Sequence, residues 1–159
     1  MTGNRLQGTG SRLQVPSYGG KVIGDQGSGC LVIGDRRTIR SHRDLVVWQK
    51  AMDLAVQIYR LVSGFPAPEM YRLTAQITRA VASVPANIAE GSARGSRKDY
   101  ANFLAIAKGS LMETETFLML AVRLVYLTKD EAEPSLNLIT EISKMLTALR
   151  KRLLEGTSL

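Results

Sequence analysis

A helical repeat of apolar residues decides the fold, and it is clearest in residues 97–127, RKDYANFLAIAKGSLMETETFLMLAVRLVYL. Apolar and small residues recur there in steps of three and four, which is the spacing of one face of an α-helix. The first row consists of Leu104, Ala107, Leu111, Thr114, Leu118, Ala121 and Val125. A second row consists of Phe103, Ile106, Ser110, Phe117, Leu120 and Leu124. Two rows predict a helix that is covered on more than one side.

Three other segments show the same period, so the sequence predicts helices over residues 44–63, 69–91, 97–127 and 129–154. The first helix is expected to bury Leu45, Trp48, Met52, Ala55, Tyr59 and Val62. The second is expected to bury Leu73, Ile77, Val81 (or Ala80), Val84 and Ile88. The fourth is expected to bury Ile139, Ile142, Leu146, Leu149 and Leu153.

Polar residues at the ends of these segments predict where the helices start. Ser96 with Asp99, and Thr128 with Glu131, have the spacing of a capping box. The carboxylate of Glu69 suits the positive end of the second helix dipole. The second, third and fourth helices therefore each have a start signal that is independent of their apolar faces.

Two positions leave alternatives open. Either Ser41 or Asp44 can cap the first helix, and Pro85 should kink the second helix or divide it near Val81. Strand-like alternation is absent from the sequence of residues 44–154. Four amphipathic helices with short connections predict an all-α fold, an antiparallel up-and-down four-helix bundle.

Composition divides the chain near residue 41. Residues 1–40 contain 9 of the 14 glycines, with six basic and two acidic residues, whereas residues 41–159 contain 15 basic and 12 acidic residues. We expect residues 1–40 to form a flexible, disordered leader, because such a segment buries little apolar surface. The bundle domain is then predicted over residues 41–155.

The leader contains a short internal echo, since residues 22–25 and 32–35 both read VIGD. The two copies could pair as a weak hairpin, but two strands alone are only marginally stable. Residues 24–29 are glycine-rich like a phosphate loop. Cys30 and Leu31 follow them, however, in place of the lysine and hydroxyl residue that such a loop needs.

The chain has few residues suited to catalysis or metal binding. Its one cysteine, Cys30, excludes an internal disulfide and favours a reduced, cytoplasmic location. Its one histidine, His42, precedes the first helix, and Glu113 and Glu115 point to different faces of the third. We therefore expect no enzyme activity, no metal and no cofactor. The sequence also lacks an apolar run long enough for a membrane-spanning helix.

The net charge of +7 favours a polyanionic partner. Arg72, Gln76, Arg79 and Ser83 form a polar row on the second helix, which is either a solvated face or a contact with a subunit or nucleic acid. Two clusters lie near the start of the third helix and the end of the fourth, where basic residues also compensate a helix dipole. The candidate nucleic-acid-binding residues are Arg72, Arg79, Arg94, Arg97, Lys98, Arg150, Lys151 and Arg152.

The arrangement of an antiparallel bundle predicts where these charges meet. The turn between the second and third helices is expected to share one end of the bundle with the end of the fourth helix. Free N–H groups at the start of the third helix would attract anions there. Arg43 and the basic leader residues Arg36, Arg37 and Arg40 are expected at the opposite end, which would divide the positive charge between both ends.

Several motifs resemble one protein family. They are VPANIAEGSARGS (residues 84–96), FLAIAKGSL (103–111), RDLVVWQKA (43–51) and Phe65-Pro66. Over roughly residues 41–154 the chain resembles the four-helix-bundle proteins encoded within intervening sequences of large-subunit ribosomal RNA genes. The resemblance implies a non-enzymatic bundle that assembles as a ring-shaped homopentamer. A related branch, the accessory proteins of diversity-generating retroelements, binds nucleic acid and a reverse transcriptase through a basic surface.

These observations support two competing functions. The first is a non-catalytic homo-oligomer that binds RNA or an RNA-bound protein. The second is a protein-interaction scaffold without nucleic-acid binding, and a metalloenzyme is a third, disfavoured class. The second apolar row of the third helix, together with the small residues Ala101, Ala105 and Gly109, favours self-association.

Overall fold

A computed structural model describes residues 41–156, and in this range the chain is almost entirely helical. The four α-helices are α1 (Val46–Val62), α2 (Leu73–Ala93), α3 (Arg97–Arg123) and α4 (Lys129–Leu154). Short 3₁₀ helices, His42–Asp44 and Ala67–Tyr71, precede α1 and α2. The predicted all-α four-helix bundle is confirmed. The predicted leader, with its hairpin and phosphate-loop hypotheses, lies outside the described residues.

The helices are arranged around a square. Helices α1 and α3 each pack against both α2 and α4, so α1 and α3 occupy diagonal corners. The Lys50 ammonium lies 3.0 Å from the Glu141 carboxylate, and the Ser135 hydroxyl donates to the Gln57 side chain at 3.3 Å. Numbers rise along α1 as they fall along α4, so the two helices are antiparallel. The start of α1 therefore lies beside the end of α4.

The core consists of one buried stripe from each helix. The predicted faces of α2 and α4 are confirmed, apart from the half-buried Leu149. The first row of α3 is buried from Leu104 to Ala121, including Thr114, whose hydroxyl donates to the Ser110 carbonyl at 2.9 Å. Each fully buried aliphatic side chain stabilises the fold by about 1.5–3 kcal/mol. This burial, rather than helix propensity, holds the bundle together.

The predicted face of α1 is wrong for most of its length. The buried residues are Val47, Ala51, Leu54, Ile58 and Val62, whereas Met52 and Tyr59 are exposed. The true stripe is displaced by one residue from most of the predicted one. Helix α1 carries apolar residues on both stripes, and the contacts with α2 and α4 choose between them.

Helix α2 starts later than predicted. Residues Ala67–Tyr71 form a 3₁₀ helix, and Arg72 has the non-helical angles φ −112° and ψ −104°. The expected role of Glu69 is nevertheless confirmed, because its carboxylate accepts from the Leu73 N–H at 3.3 Å. Helix α2 also continues without interruption through the buried Pro85, so division near Val81 is wrong.

The capping signals act largely as predicted. The Ser96 hydroxyl accepts from the Asp99 N–H at 3.0 Å, and Thr128 and Glu131 form a complete capping box. Asp99, however, accepts from the Ser96 hydroxyl rather than from its N–H. At the first helix Ser41 is the cap, but it caps the 3₁₀ helix His42–Asp44 and not α1 itself.

Helix α3 ends at Arg123, four residues before the predicted end. Val125 has φ 61°, and its side chain is 87% exposed, so its assignment to the buried row is wrong. The second row is only partly covered, since Ile106, Leu120 and Leu124 remain exposed. None of the helices in residues 41–156 is long and apolar enough to cross a lipid bilayer.

Candidate nucleic-acid interface

Positive charge is concentrated at one end of the bundle. The Arg97 guanidinium donates to the Gly156 carbonyl at 2.8 Å, and Arg150 Nε donates to the Ala101 carbonyl at 3.3 Å, so the start of α3 meets the end of α4. We call this the basic end, and it includes the start of α1. Its basic residues are Arg43, Arg94, Arg97, Lys98, Arg150, Lys151 and Arg152. Its acidic residues are Asp44, Glu90, Asp99 and Glu155.

The position of Arg43 corrects the sequence analysis. Arg43 was expected at the end opposite Arg97, but an even number of antiparallel helices returns the chain to the end where it began. The contacts between α1 and α4 show this arrangement directly. The expected division of the bundle's basic charge between both ends is therefore wrong for Arg43. Arg36, Arg37 and Arg40 lie outside the described residues.

The turn between α2 and α3 is shaped by a close approach at Gly91. A Cβ atom on this buried glycine would lie 2.6 Å from Phe103 Cβ and 2.7 Å from Tyr100 Cδ2. The absence of a side chain lets the first turn of α3 lie directly against α2. Arg94 extends from this turn, 5.0 Å from the centre of the Phe103 ring, and pairs with Glu90. Arg94 is therefore held by both a cation–π contact and an ion pair.

Tyr100 lies behind this surface and takes no part in its charge. The side chain is buried, and its hydroxyl has no hydrogen-bond partner among residues 41–156. Burial raises the pKa of Tyr100 to about 12, because desolvation disfavours the phenolate. The Tyr100 ring lies against Gly91 of α2 and is uncharged at neutral pH.

The candidate cations of the basic end fall into two groups. Arg94, Arg97, Arg150 and Lys151 are tied to other residues, and Lys151 lies 3.7 Å from the Glu155 carboxylate. Arg43, Lys98 and Arg152 have no side-chain hydrogen bond or ion pair with any other residue of the described range. Arg97 and Arg150 of the first group join helix ends, whereas the ion pairs of Arg94 and Lys151 are exposed and lie within four residues along the chain. The second group is available to bind an anion.

The start of α3 carries a carboxylate beside its N–H groups. Asp99 lies in the first turn, where its carboxylate accepts from the Ser96 hydroxyl at 2.8 Å. The Asp99 N–H is itself bonded to Ser96. A phosphate at this helix end would meet a carboxylate, so side-chain cations must provide the attraction.

The structure does not bring the arginines of α2 into this cluster. Arg79 donates to the Gln76 side chain and lies about 22 Å along α2 from Arg94, at 1.5 Å per residue. Arg72 lies at the other end of the bundle, in the break before α2. Arg72, Gln76 and Arg79 are exposed, whereas Ser83 is half-buried and accepts from the Ser110 hydroxyl of α3 at 3.0 Å. The polar row on α2 is separate from the basic end.

Sequence reasoning missed one further feature of the basic end. The rings of His42 and Trp48 pack edge to face, with centroids 5.2 Å apart, beside Arg43. Their separation of six residues gives no helical signal, because His42 lies in the 3₁₀ helix and Trp48 lies in α1. Among residues 41–156, no group of three or more His, Cys, Asp and Glu side chains could hold a metal ion.

The fold and the charged end define a class, an antiparallel four-helix bundle with one basic end. The family model of the 23S rRNA-intervening sequence proteins matches residues 43–148. The chain belongs to this family, which links it to a ribosomal-RNA context and confirms the resemblance carried by its motifs.

A solved structure supports the same assignment. It is a protein of unknown function from the S23 ribosomal protein family of Bacteroides thetaiotaomicron VPI-5482. It shares 35% identity with this chain, covers 67% of it and 99% of its own length, and superimposes with a TM-score of 0.61. Comparison with curated proteins gives no match.

Proposed function

We propose that this protein is a non-catalytic, homo-oligomeric bundle of the cytoplasm that binds RNA through its basic end. The observation that carries the proposal is the concentration of charge there, seven basic against four acidic side chains. The other end, formed by residues 60–72 and 123–133, has four of each sign. Because the chain belongs to the rRNA-intervening sequence family, we expect the polyanion that binds there to be RNA.

The three unpaired cations suggest how RNA is held. Arg43, Lys98 and Arg152 come from three different elements and meet at one end, so together they would follow a sugar-phosphate backbone rather than read a base. Arg97 and Arg150, whose guanidinium groups are bonded to backbone carbonyls, add to the local positive potential. Binding is therefore expected to depend on salt and little on sequence.

Two exposed apolar faces support self-association. On α1 an open groove of about 430 Å³ is lined by Met52, Ala55, Val56, Tyr59, Arg60 and Ser63. On α3 the exposed residues are Ile106, Met119 and Leu120. Because α1 and α3 occupy diagonal corners, the two faces differ and point away from each other. Joining one face to the other gives a head-to-tail contact, which generates a ring when the rotation between neighbouring subunits closes. Five subunits are favoured by the family resemblance.

The test is RNA binding as a function of salt. Changing Arg43, Lys98 and Arg152 to Gln should weaken binding and flatten the slope of log affinity against log salt by up to about three units. The matched control changes Lys108, Lys129 and Lys144 to Gln, which removes the same charge from positions outside the basic end and should leave the slope nearly unchanged. Both proteins are sized first, so that loss of assembly is not mistaken for loss of contact.

Neutralising Arg97 and Arg150 should lower stability instead, because both anchor helix ends to carbonyls.

The RNA-binding measurement also separates the two candidate functions. If wild-type protein fails to bind RNA at about 50 mM salt, where phosphate contacts are strong, the RNA proposal is wrong. The exposed apolar faces of α1 and α3 then favour the protein-interaction scaffold.

A further inference from the structure

The end opposite the basic end exposes apolar side chains of two connections. Tyr71 is 88% and Val125 87% exposed, and Met70 and Leu124 are also exposed. The connections that carry them meet, since the Tyr126 hydroxyl donates to the Glu69 carboxylate at 3.4 Å and the rings of Phe65 and Tyr126 lie 5.6 Å apart. We call this surface the apolar end.

Val125 is strained at this surface. The Val125 N–H donates to the Val122 carbonyl at 3.1 Å and the Tyr126 N–H to the Ala121 carbonyl at 2.9 Å, which is the pattern of a left-handed helix cap. Glycine usually occupies the position of Val125, because a β-branched residue at φ 61° is unfavourable. Contacts within residues 41–156 do not compensate the strain, since Val125 is 87% exposed.

Charge around the apolar end is balanced. The basic residues are Arg60, Arg72, Arg123 and Lys129, and the acidic residues are Glu69, Asp130, Glu131 and Glu133. Two copies of this end can therefore approach without net repulsion, with opposite charges meeting around an apolar centre. Two basic ends would repel each other. Charge complementarity thus favours a second copy of the same end as the occupant.

We propose that the apolar end binds the apolar end of a second copy of this chain through a two-fold contact centred on Tyr71 and Val125. This contact is distinct from the side-by-side contacts of α1 and α3. Four exposed apolar residues make a small interface, so one contact alone is weak. If the chain forms the ring proposed above, several contacts act together and strengthen one another. The basic ends then face outward, giving the assembly two RNA-binding surfaces.

The test measures mass and melting temperature on the full chain. Sedimentation equilibrium over a concentration series should give wild-type protein twice the mass of Val125→Gly and of Tyr71→Ser. At a concentration where wild-type protein does not self-associate, Val125→Gly should also melt at a higher temperature than wild type, because glycine accepts the positive φ. A gain in stability together with loss of association excludes misfolding as the cause. The matched control is Leu154→Ser, an exposed aliphatic residue at the basic end, which should leave the mass unchanged.

The ratio of masses decides this proposal separately from the ring. A variant with the mass of one chain, at half the wild-type mass, supports the two-fold contact and contradicts the ring. A ring-sized variant at half the wild-type mass supports both. The two-fold contact is wrong if wild type and both variants have equal masses, whether as single chains or as rings. It is also wrong if wild-type protein is monomeric throughout the concentration series.

Discussion

The two ends of the bundle differ in charge and in how their helix ends are closed. At the basic end, the helices are joined by specific contacts, such as Arg97 with the Gly156 carbonyl and Arg150 with the Ala101 carbonyl. At the apolar end, Val125 takes a left-handed conformation just after the end of α3, and α2 begins after the irregular Arg72. The comparison indicates that the basic end is optimised for a stable shape, whereas the apolar end retains local strain.

The largest expected effect is at the basic end. Gly91→Ala should destabilise the bundle by about 1–3 kcal/mol, the usual range for overpacking. The new Cβ would lie 2.6 Å from Phe103 Cβ, which is attached directly to the backbone of α3 and cannot rotate away. Urea denaturation measures the change. Gly109→Ala is the matched control, because nothing lies within 4 Å of its added Cβ, and it should be neutral or stabilising.

The apolar end should respond in the opposite direction. Val125→Gly is expected to stabilise each chain by about 1 kcal/mol, because it removes the strain of a β-branched residue at positive φ. The free energy of unfolding is measured at a concentration where the protein does not self-associate. A decrease in stability would show that Val125 is not strained and would remove the contrast between the ends.

A smaller effect is expected from the capping box at the start of α4. Thr128→Ala should destabilise the fold by about 1 kcal/mol, since it leaves the Glu131 N–H without its cap. Hydrogen bonds from the Thr128 backbone and side chain also lower the pKa of Glu131. Stability from this carboxylate is present above its ordinary pKa and is lost as the pH falls through the lowered value. In Thr128→Ala, carbon-detected NMR should show the pKa of Glu131 closer to the ordinary range; an unchanged pKa would contradict the capping role.

The smallest effect at neutral pH is expected from Tyr100→Phe, because the lost hydroxyl has no hydrogen-bond partner among residues 41–156. At alkaline pH the variants should diverge. Burial raises the pKa of Tyr100 from 10.0 to about 12, so wild-type protein loses stability as the pH rises from 10.0 towards 12. Tyr100→Phe should lose less over that range. If the free energies of unfolding of the two proteins fell in parallel as the pH rises, the Tyr100 hydroxyl would be accessible to water and its pKa would not be raised.

Helix boundaries were predictable where a side chain marks them. The starts of α3 and α4, at Arg97 and Lys129, agree with the sequence because Ser96 and Thr128 cap them locally. The start of α2 and the end of α3 do not agree. No glycine marks the end of α3, and the apolar row continues through Val125. The apolar pattern alone therefore predicted a helix that extends beyond the true end of α3 into the following turn.

Six of the candidate site residues were also predictable as a group. Arg94, Arg97 and Lys98 were expected at the same end as Arg150, Lys151 and Arg152, and contacts between α3 and α4 place them there. The sequence does not reveal which cations are already paired. Arg97 and Arg150 bond to carbonyls of residues 59 and 49 positions away in the chain, and such contacts leave no local pattern.

By itself, the sequence determined the four helices, the buried faces of α2 and α4 and the capped starts of α3 and α4. These features depend on residues within a few turns of one another, so periodicity and capping chemistry are sufficient. Only the tertiary structure decided which stripe of α1 is buried, that Val125 leaves the core, and that Arg43 joins the basic end. Each of these depends on where another part of the chain lies. Helix α1, for example, has apolar residues on two stripes, and its contacts with α2 and α4 decide which stripe is buried.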